Sequence, residues 1–500
     1  MKKLFWFLVL PLLIFLAIIP RAIELINKNY LFLFDQGRDY QAVRDIVVNH
    51  KFTLIGAELG AGSAGLSGIF HGPMYYYFLT IPFILFGGDP YGGVWMMFLF
   101  SIAAIIVAYF LGKKLWGFPW GIVVAFLFAI SPPFISQARF IWNSNAATVF
   151  IVLAFFFLYK YLQTKNNWYI FWTAFFSGFV YNFEFALAVP MVLTLYIFSF
   201  LFFQKSIRYY IALFMGTIFA FLLMILFEIR HHFLAAHGIL LYLFTHNTQV
   251  GHRSNFLDVI NSHWPAFFNN VGDTFPHNGF IPASILLIFL LGLSIWYLVK
   301  DKSESIKRFF VYIILLLPVN VIIFGFLRNF VYPYYIIDLN IAYILLFTYV
   351  FYSSWQRKNY VLYLLIGLYA ALFLFTAVGN AVQTYNHDIH DYGGTSKIKG
   401  IEQAIDFIYI NAGDTKFGVL VFAPPVYTYQ YDYMLWWYGD RKYHYIPYQK
   451  KKGIVYLLIE PDPAKPWSYK GWLQTVIKTG KILQTKTLSP SGYIIQKRQF

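Results

Sequence analysis

The sequence predicts a polytopic α-helical membrane protein of about eleven transmembrane helices, with outer interfacial helices and a small extracytoplasmic C-terminal α/β domain. Three observations carry this. The 500 residues are 59% hydrophobic and only 12% charged, where a soluble chain carries about 25% charged residues. Apolar runs of roughly 20 residues recur, the length a ~30 Å hydrocarbon core demands, and Lys or Arg closes them. Aromatic residues reach 22%, in keeping with Tyr and Trp anchors at two lipid–water boundaries and a Phe-rich lipid face.

The first run, residues 4–20, follows Met1-Lys2-Lys3 and lacks a small-x-small cleavage site. It reads as an uncleaved signal anchor with a cytoplasmic N-terminus. Further spans are expected at 92–111, 117–135, 146–159, 168–181, 187–203, 210–227, 280–299, 309–327, 336–353 and 360–378. Basic groups follow every second crossing: Lys113-Lys114, Lys160 with Lys165, Lys205 with Arg208, the run 300–308, and Arg357-Lys358. Placing them with Lys2-Lys3 in the cytoplasm gives one consistent topology. The run 74–86, closed by Gly87-Gly88-Asp89-Pro90, is only ~13 residues long and suits an interfacial or re-entrant helix. Counting it as a span would put every later basic pair outside.

Two units follow: a transmembrane domain, 1–378, with a large outer loop at 21–91, and an extracytoplasmic α/β domain, 379–500. The second unit contains a helix-like stretch (398–410), strand-like runs (417–422 and 453–459), and the turns Pro424-Pro425 and Pro461-Asp462-Pro463. No long internal repeat is visible. The net charge of +16 is dispersed as pairs between apolar runs, which points to solvated anchors at the bilayer surface and not to nucleic acid. With no cysteine in the chain, disulfides, zinc–thiolate sites and thiol catalysis are excluded.

The densest charge cluster beside a span is Phe34-Asp35-Gln36-Gly37-Arg38-Asp39-Tyr40, in the polar loop after the first span. Charges next to a lipid surface are costly unless used. If this stretch is helical, Asp35 and Asp39 share a face, so one carboxylate acts while the other tunes it. The competing reading is a solvated capping cluster. Glu58 lies in a Gly-rich loop, 56–68, able to fold over a site, or simply to face water. His71-Gly72-Pro73-Met74-Tyr75-Tyr76-Tyr77 opens the interfacial run, where Pro in a first turn and headgroup-level tyrosines are also structurally sensible.

Arg139 with Trp142-Asn143-Ser144-Asn145 offers a cation and two amides for a sugar or phosphate, or a helix cap. Glu184 is an acid at the edge of an apolar region. Arg328, ahead of Tyr332 and Tyr335, offers a guanidinium fork to a lipid phosphate, or an ordinary headgroup anchor. His231, His232, His237, His246, His252, His263 and His277 match no metal-binding spacing.

The order of these parts resembles the GT-C superfamily of membrane glycosyltransferases that use polyprenyl-phosphate sugars, such as protein O-mannosyltransferases and aminoarabinose transferases. The likeness rests on Asp35-Gln36-Gly37-Arg38-Asp39, His71-Gly72-Pro73-Met74-Tyr75-Tyr76, Leu85-Phe86-Gly87-Gly88 and Ser131-Pro132…Arg139. It covers the N-terminal third in motif and the later helices in pattern. Where members carry an Asp-Glu pair, Arg38 here separates the two acids. Where many carry a second Asp after the Ser-Pro…Arg turn, this chain has Asn143 and Asn145.

The resemblance implies inverting transfer of a sugar from a polyprenyl-phosphate donor to a hydroxyl of a protein, lipid or glycan at the outer membrane face. Asp35 would be the general base and Asp39 would orient Arg38. Arg328, Arg139, Tyr332 and Tyr335 would hold the donor phosphate. Glu58, His71, Tyr75, Asn143, Asn145 and Glu184 would contact substrate. No cofactor is demanded, and a divalent cation (Mg2+, Mn2+ or Zn2+) would take Asp35 and Asp39 as ligands. Two other functions fit the same membrane body: a flippase or transporter of lipid-linked sugars, and a ligase or polymerase using lipid-pyrophosphate donors.

Overall fold

Helices form at every long apolar run of the sequence. The computed structural model describes residues 2–62, 68–202, 206–244, 256–276, 281–327, 330–391, 394–424, 427–462 and 464–500. In chain order they contain α1 (Lys2–Arg21), α2 (Ile23–Asn27), α3 (Phe34–Val47), α4 (Met74–Leu85), α5 (Tyr91–Trp116), α6 (Phe118–Ile130), α7 (Pro132–Arg139), α8 (Ala147–Thr164) and α9 (Asn167–Phe179). The bundle continues with α10 (Phe185–Phe202), α11 (Ile207–Arg230), α12 (Leu234–Phe244), α13 (Phe256–Thr274), α14 (Ala283–Val299), α15 (Glu304–Phe326), α16 (Ile337–Gln356) and α17 (Tyr360–Asp388).

A helix stands at each of the eleven expected spans. Among the described residues, however, seven are long and apolar enough to cross a bilayer, or eight if α6 and α7 form one bent span. Helix α9 has 13 residues and α14 has 17, both short of the roughly 20 that a straight crossing takes. Helix α4, with 12 residues, is shorter still, as expected for the 74–86 run.

The span expected at 117–135 is not one helix. It breaks at Ser131, where α6 and α7 meet at 60°. Ser131 precedes two prolines and takes an extended conformation (φ −71°, ψ 124°), because a following proline ring disfavours the helical state. The break leaves α6 carbonyls without helical donors, and fully buried Arg21 supplies them. Its guanidinium donates to Ala129 O at 2.8 Å and Phe128 O at 3.1 Å, tying α1 to the end of α6.

The acidic stretch, expected in a polar loop, is helix α3. The Gln36 side chain accepts from Leu33 N at 2.9 Å, closing the first turn, and Asp35 in that turn suits the positive end of the helix dipole. Gln36, Gly37, Asp39, Tyr40, Val43 and Ile46 form its buried face, an i, i+3, i+4 stripe.

The C-terminal unit holds α18 (Ile398–Ala412), β1 (Phe417–Phe422), α19 (Tyr429–Met434), β2 (Ile454–Ile459), β3 (Lys481–Thr487) and β4 (Ile494–Gln499). The sheet order is β1-β2-β4-β3. β1 pairs parallel with β2, and β4 runs antiparallel to both β2 and β3. Ile398, Ile401, Ile405 and Ile408 of α18 are buried in its core. Helix α17 does not stop at the expected boundary after 378; it continues unbroken to Asp388.

This domain seats directly on α3 and on the turn after α4. Ile398 N donates to Tyr30 O and Phe32 N to Ser396 O, each at 3.0 Å. Trp437 Nε1 donates to Gly87 O at 2.8 Å, and the Tyr433 hydroxyl donates to Gly88 O. Gly88 holds φ +85°, a conformation that glycine adopts freely. Gly37 packs so closely on α19 that a Cβ would lie 2.2 Å from Gln430 N. Backbone cannot rotate away as a side chain can. Gly37→Ala is therefore expected to destabilise the domain contact by at least the ~1–3 kcal/mol of ordinary overpacking, read as a lower thermal midpoint and faster proteolytic release of 394–500.

Candidate active site

Helix α3 carries the three charged residues as one connected cluster. Arg38 Nη1 meets Asp35 Oδ1 at 2.7 Å. Its Nε and Nη2 both donate to Asp39 Oδ1, at 2.9 and 2.8 Å. The cluster is graded in exposure: the Asp35 side chain is 31% exposed, Arg38 23% and Asp39 4%. Burial raises the Asp39 carboxyl to about 6 despite the pull of Arg38. For Arg38, burial opposes the charge, but Asp39, Tyr76 and Asp35 outweigh it and hold the guanidinium above its ordinary value.

Asp39 faces a narrow pocket of about 10 Å³ whose walls include His71, Tyr75, Tyr76, Asn143 and Asn182. The Tyr76 hydroxyl donates to Asp39 Oδ1 at 3.3 Å. His71 is set by a short two-stranded ribbon: Gly56 N donates to His71 O at 2.7 Å and His71 N to Ala57 O at 2.9 Å. Its Nδ1 accepts from Phe185 N at 3.3 Å. Burial, with Arg38 nearby, lowers the imidazole to about 3. The ring is neutral and its proton sits on Nε2, a donor inside the pocket. The buried Tyr75 hydroxyl has no protein partner.

A second node adjoins it. Asn143 donates to Phe183 O, and Ser144 Oγ donates to Glu184 Oε2 at 2.6 Å. Burial raises the Glu184 carboxyl to about 7, against the hydrogen bonds from Ser144 and the backbone. Tyr335 lies within electrostatic reach of Glu184. Its ring packs on Tyr332 at 5.5 Å, and Tyr334 packs on Trp142 at 5.4 Å. The segment carrying Tyr332 and Tyr335 thus reaches the Asn143–Glu184 node.

Three expected contributors stand elsewhere. Arg139 is directed away from Asp39: it donates to Glu24 Oε1 and Oε2 at 3.0 and 2.8 Å and also pairs with Asp388. A guanidinium already shared by two carboxylates is a poor claimant for a phosphate. Asn145 closes its own turn, donating to Phe140 O at 2.9 Å. Glu58 accepts from Gly68 N at 2.7 Å and holds its own loop. Arg328 lies outside the described residues, as do His246, His252 and His277.

Among the described residues no group of three or more His, Asp or Glu is arranged to hold a metal. Asp35 and Asp39, the pair offered to a divalent ion, have Arg38 between them. Tyr76 and Asn182 join the pocket without having been singled out from the sequence. Tyr76 stood inside the His71 motif and Asn182 two residues before Glu184, each beside a residue that was singled out.

The Arg38–Asp39 pair yields a stability test. Breaking a buried pair costs about 3–5 kcal/mol because a charge is left behind, and partial exposure of Arg38 places this site toward the low end. Arg38→Ala should lower the thermal midpoint sharply at pH 8, and the double variant with Asp39→Asn should recover most of the loss. An additive cycle would show the two residues to be independent.

A model of the dolichyl-phosphate-mannose-protein mannosyltransferase family matches residues 70–228, from the His71 ribbon to the end of α11. No curated protein matches the sequence. Among solved structures, ArnT from Cupriavidus metallidurans in the apo state superposes with a TM-score of 0.59 at 11% identity, covering 98% of this chain and 97% of that one. The same protein bound to undecaprenyl phosphate gives 0.58, also at 11% identity with 98% and 97% covered. The family model thus takes in the His71, Phe86-Gly87 and Ser131-Pro132 motifs, with Asp35 outside its range, and the fold is shared with ArnT over the whole length: this is a multi-pass membrane protein with an ArnT-like fold.

Proposed function

We propose that the chain transfers one sugar from a polyprenyl-phosphate donor to an acceptor hydroxyl at the outer membrane face, with inversion. The observation that carries this reading is the α3 cluster, open at Asp35 and sealed at Asp39. An incoming hydroxyl has to reach the base, and Asp35 is the exposed carboxylate of the pair. Asp35 takes the acceptor proton as the acceptor oxygen bonds to the anomeric carbon. The carbon–oxygen bond to phosphate breaks on the opposite face, and its electron pair leaves with polyprenyl phosphate. That leaving group needs charge stabilisation more than a proton.

Asp39 acts through Arg38, fixing the guanidinium beside the base. His71 Nε2–H and the unpartnered Tyr75 hydroxyl are donors suited to phosphoryl oxygens or sugar hydroxyls, and in a water-poor pocket such donors count for more than in bulk water. An apolar pocket of about 200 Å³, with Phe175, Phe179, Phe219 and Phe221 among its walls, shares Gly72 and Asn182 with the Asp39 pocket. It supplies a path for the prenyl chain from the bilayer to the reacting end.

The test is release of label from radiolabelled polyprenyl-phosphate sugars by purified protein in lipid. Wild type should release label, to acceptor or slowly to water, and Asp35→Asn should lose about 10²–10⁴-fold, the usual weight of a positioned base. Near-normal release by Asp35→Asn with none by Asp39→Asn would reverse the two roles, and binding without cleavage would favour translocation over transfer.

The pH profile follows from Asp39, whose carboxyl is raised to about 6. Below that pH it is protonated and its hold on Arg38 weakens; above it the ion pair is complete. The rate should fall on the acid side of pH 6, and Asp39→Asn should abolish that limb together with most of the activity.

A further inference from the structure

The largest cavities described lie away from the Asp39 pocket. One, of about 610 Å³, is an apolar trough walled by α1, α6 and α17, with Leu12, Leu16, Phe126, Leu374 and Val378 along it. The other, of about 380 Å³, is polar, with Glu24, Ser136, Arg139, Asn380, Thr384 and Asp388 among its walls. The two share Pro20, Ile135, Ala377 and Ala381, so they form one cleft with an apolar stem and a polar head. Residues on both sides of the α6–α7 elbow, Ile130 and Ile135, line it, and its shared walls Ala377 and Ala381 carry small side chains.

The head chamber has a definite chemistry. Arg139 is paired with Glu24 and Asp388, and Lys397 at the rim is paired with Asp391. Its walls carry two carboxylates, Glu24 and Asp388, and two cations, Arg139 and Lys397, and each cation already has a carboxylate partner. No cation on its walls is left without a carboxylate to balance an added anion. What remains unbonded among the described residues is neutral or a spare donor: Ser136, Asn380 and Thr384 make no side-chain hydrogen bond with them, and Arg139 Nη1 donates to none of them. Hydroxyls and amides that both donate and accept are the complement of a polyhydroxyl group.

We propose that this cleft is a second lipid seat, separate from the donor path, and that its occupant is a glycolipid: an acyl or isoprenoid chain in the trough and a neutral sugar head among Ser136, Asn380, Thr384 and Arg139. Its two halves match the two halves of such a molecule, and its apolar half already lies among helices that face the bilayer.

The test needs no turnover, so its failure and the failure of the donor reading are distinguishable. The full chain is placed in phosphatidylcholine nanodiscs doped with monoglucosyl diacylglycerol or with phosphatidylglycerol, and the lipids retained on the released protein are read by native mass spectrometry. Wild type should keep the glucolipid at least about tenfold over phosphatidylglycerol, a difference of ~1.4 kcal/mol. Ala381→Trp, which fills the trough, should abolish that preference. The pair Asn380→Ala and Thr384→Ala, which removes head contacts at surface-facing positions, should abolish it without touching the apolar stem, and so decides the matter even if the tryptophan variant fails to fold. Equal retention of both lipids, retention of neither, or a preference unchanged in both variants overturns the proposal.

Discussion

One guanidinium joins two carboxylates of its own helix, and the site is built around that contact. Arg38 sits within a single turn of α3, so Asp35 and Asp39 are held at fixed spacing by backbone geometry and not by the meeting of distant loops. The helix is in turn clamped on two sides. Gln36 Nε2 donates to Ile141 O at 2.7 Å on the bundle side, and Gly37 lies against Gln430 on the domain side. A charged helix wedged between a membrane bundle and a folded domain cannot reorient without undoing both contacts, which is the pre-organisation that electrostatic catalysis calls for.

The two cation-bearing centres divide their labour by how fully each charge is matched. Arg38 serves a gradient from buried to exposed, so the open end keeps a reachable carboxylate. Arg139 is enclosed by Glu24 and Asp388, and that triad joins α2, α7 and the end of α17. The first arrangement leaves a carboxylate at the surface, while the second uses similar groups as a rivet. Both contain an arginine between two acids, and only burial and connectivity separate them.

Much of the fold was legible because a bilayer demands continuous apolar runs, and such runs survive in sequence whatever packs around them. The i, i+4 spacing of Asp35 and Asp39 likewise showed what a helix would make of them. The Glu24–Arg139–Asp388 triad was not legible, since its members lie 115 and 249 residues apart and no local pattern links them. The break at Ser131 was written as two prolines, yet the hydrophobic run continues across it, so length suggested one span. Strand β3 escaped because all seven of its residues are exposed. An edge strand reading Lys-Ile-Leu-Gln-Thr-Lys-Thr has no inward face to alternate with.

Helix α17 leaves the apolar zone without a hinge. At 1.5 Å per residue, the ten residues from Val378 to Asp388 rise about 15 Å, and their far end is pinned to Arg139. The C-terminal domain therefore stands off the bundle on a strut of fixed length and phase. Removing one residue from that strut would shorten it by about 1.5 Å and turn its end through about 100°, swinging Asp388 off Arg139 and twisting the domain that covers α3. The register of α17 is in this sense a part of the candidate site, although it contributes no side chain to the Asp39 pocket.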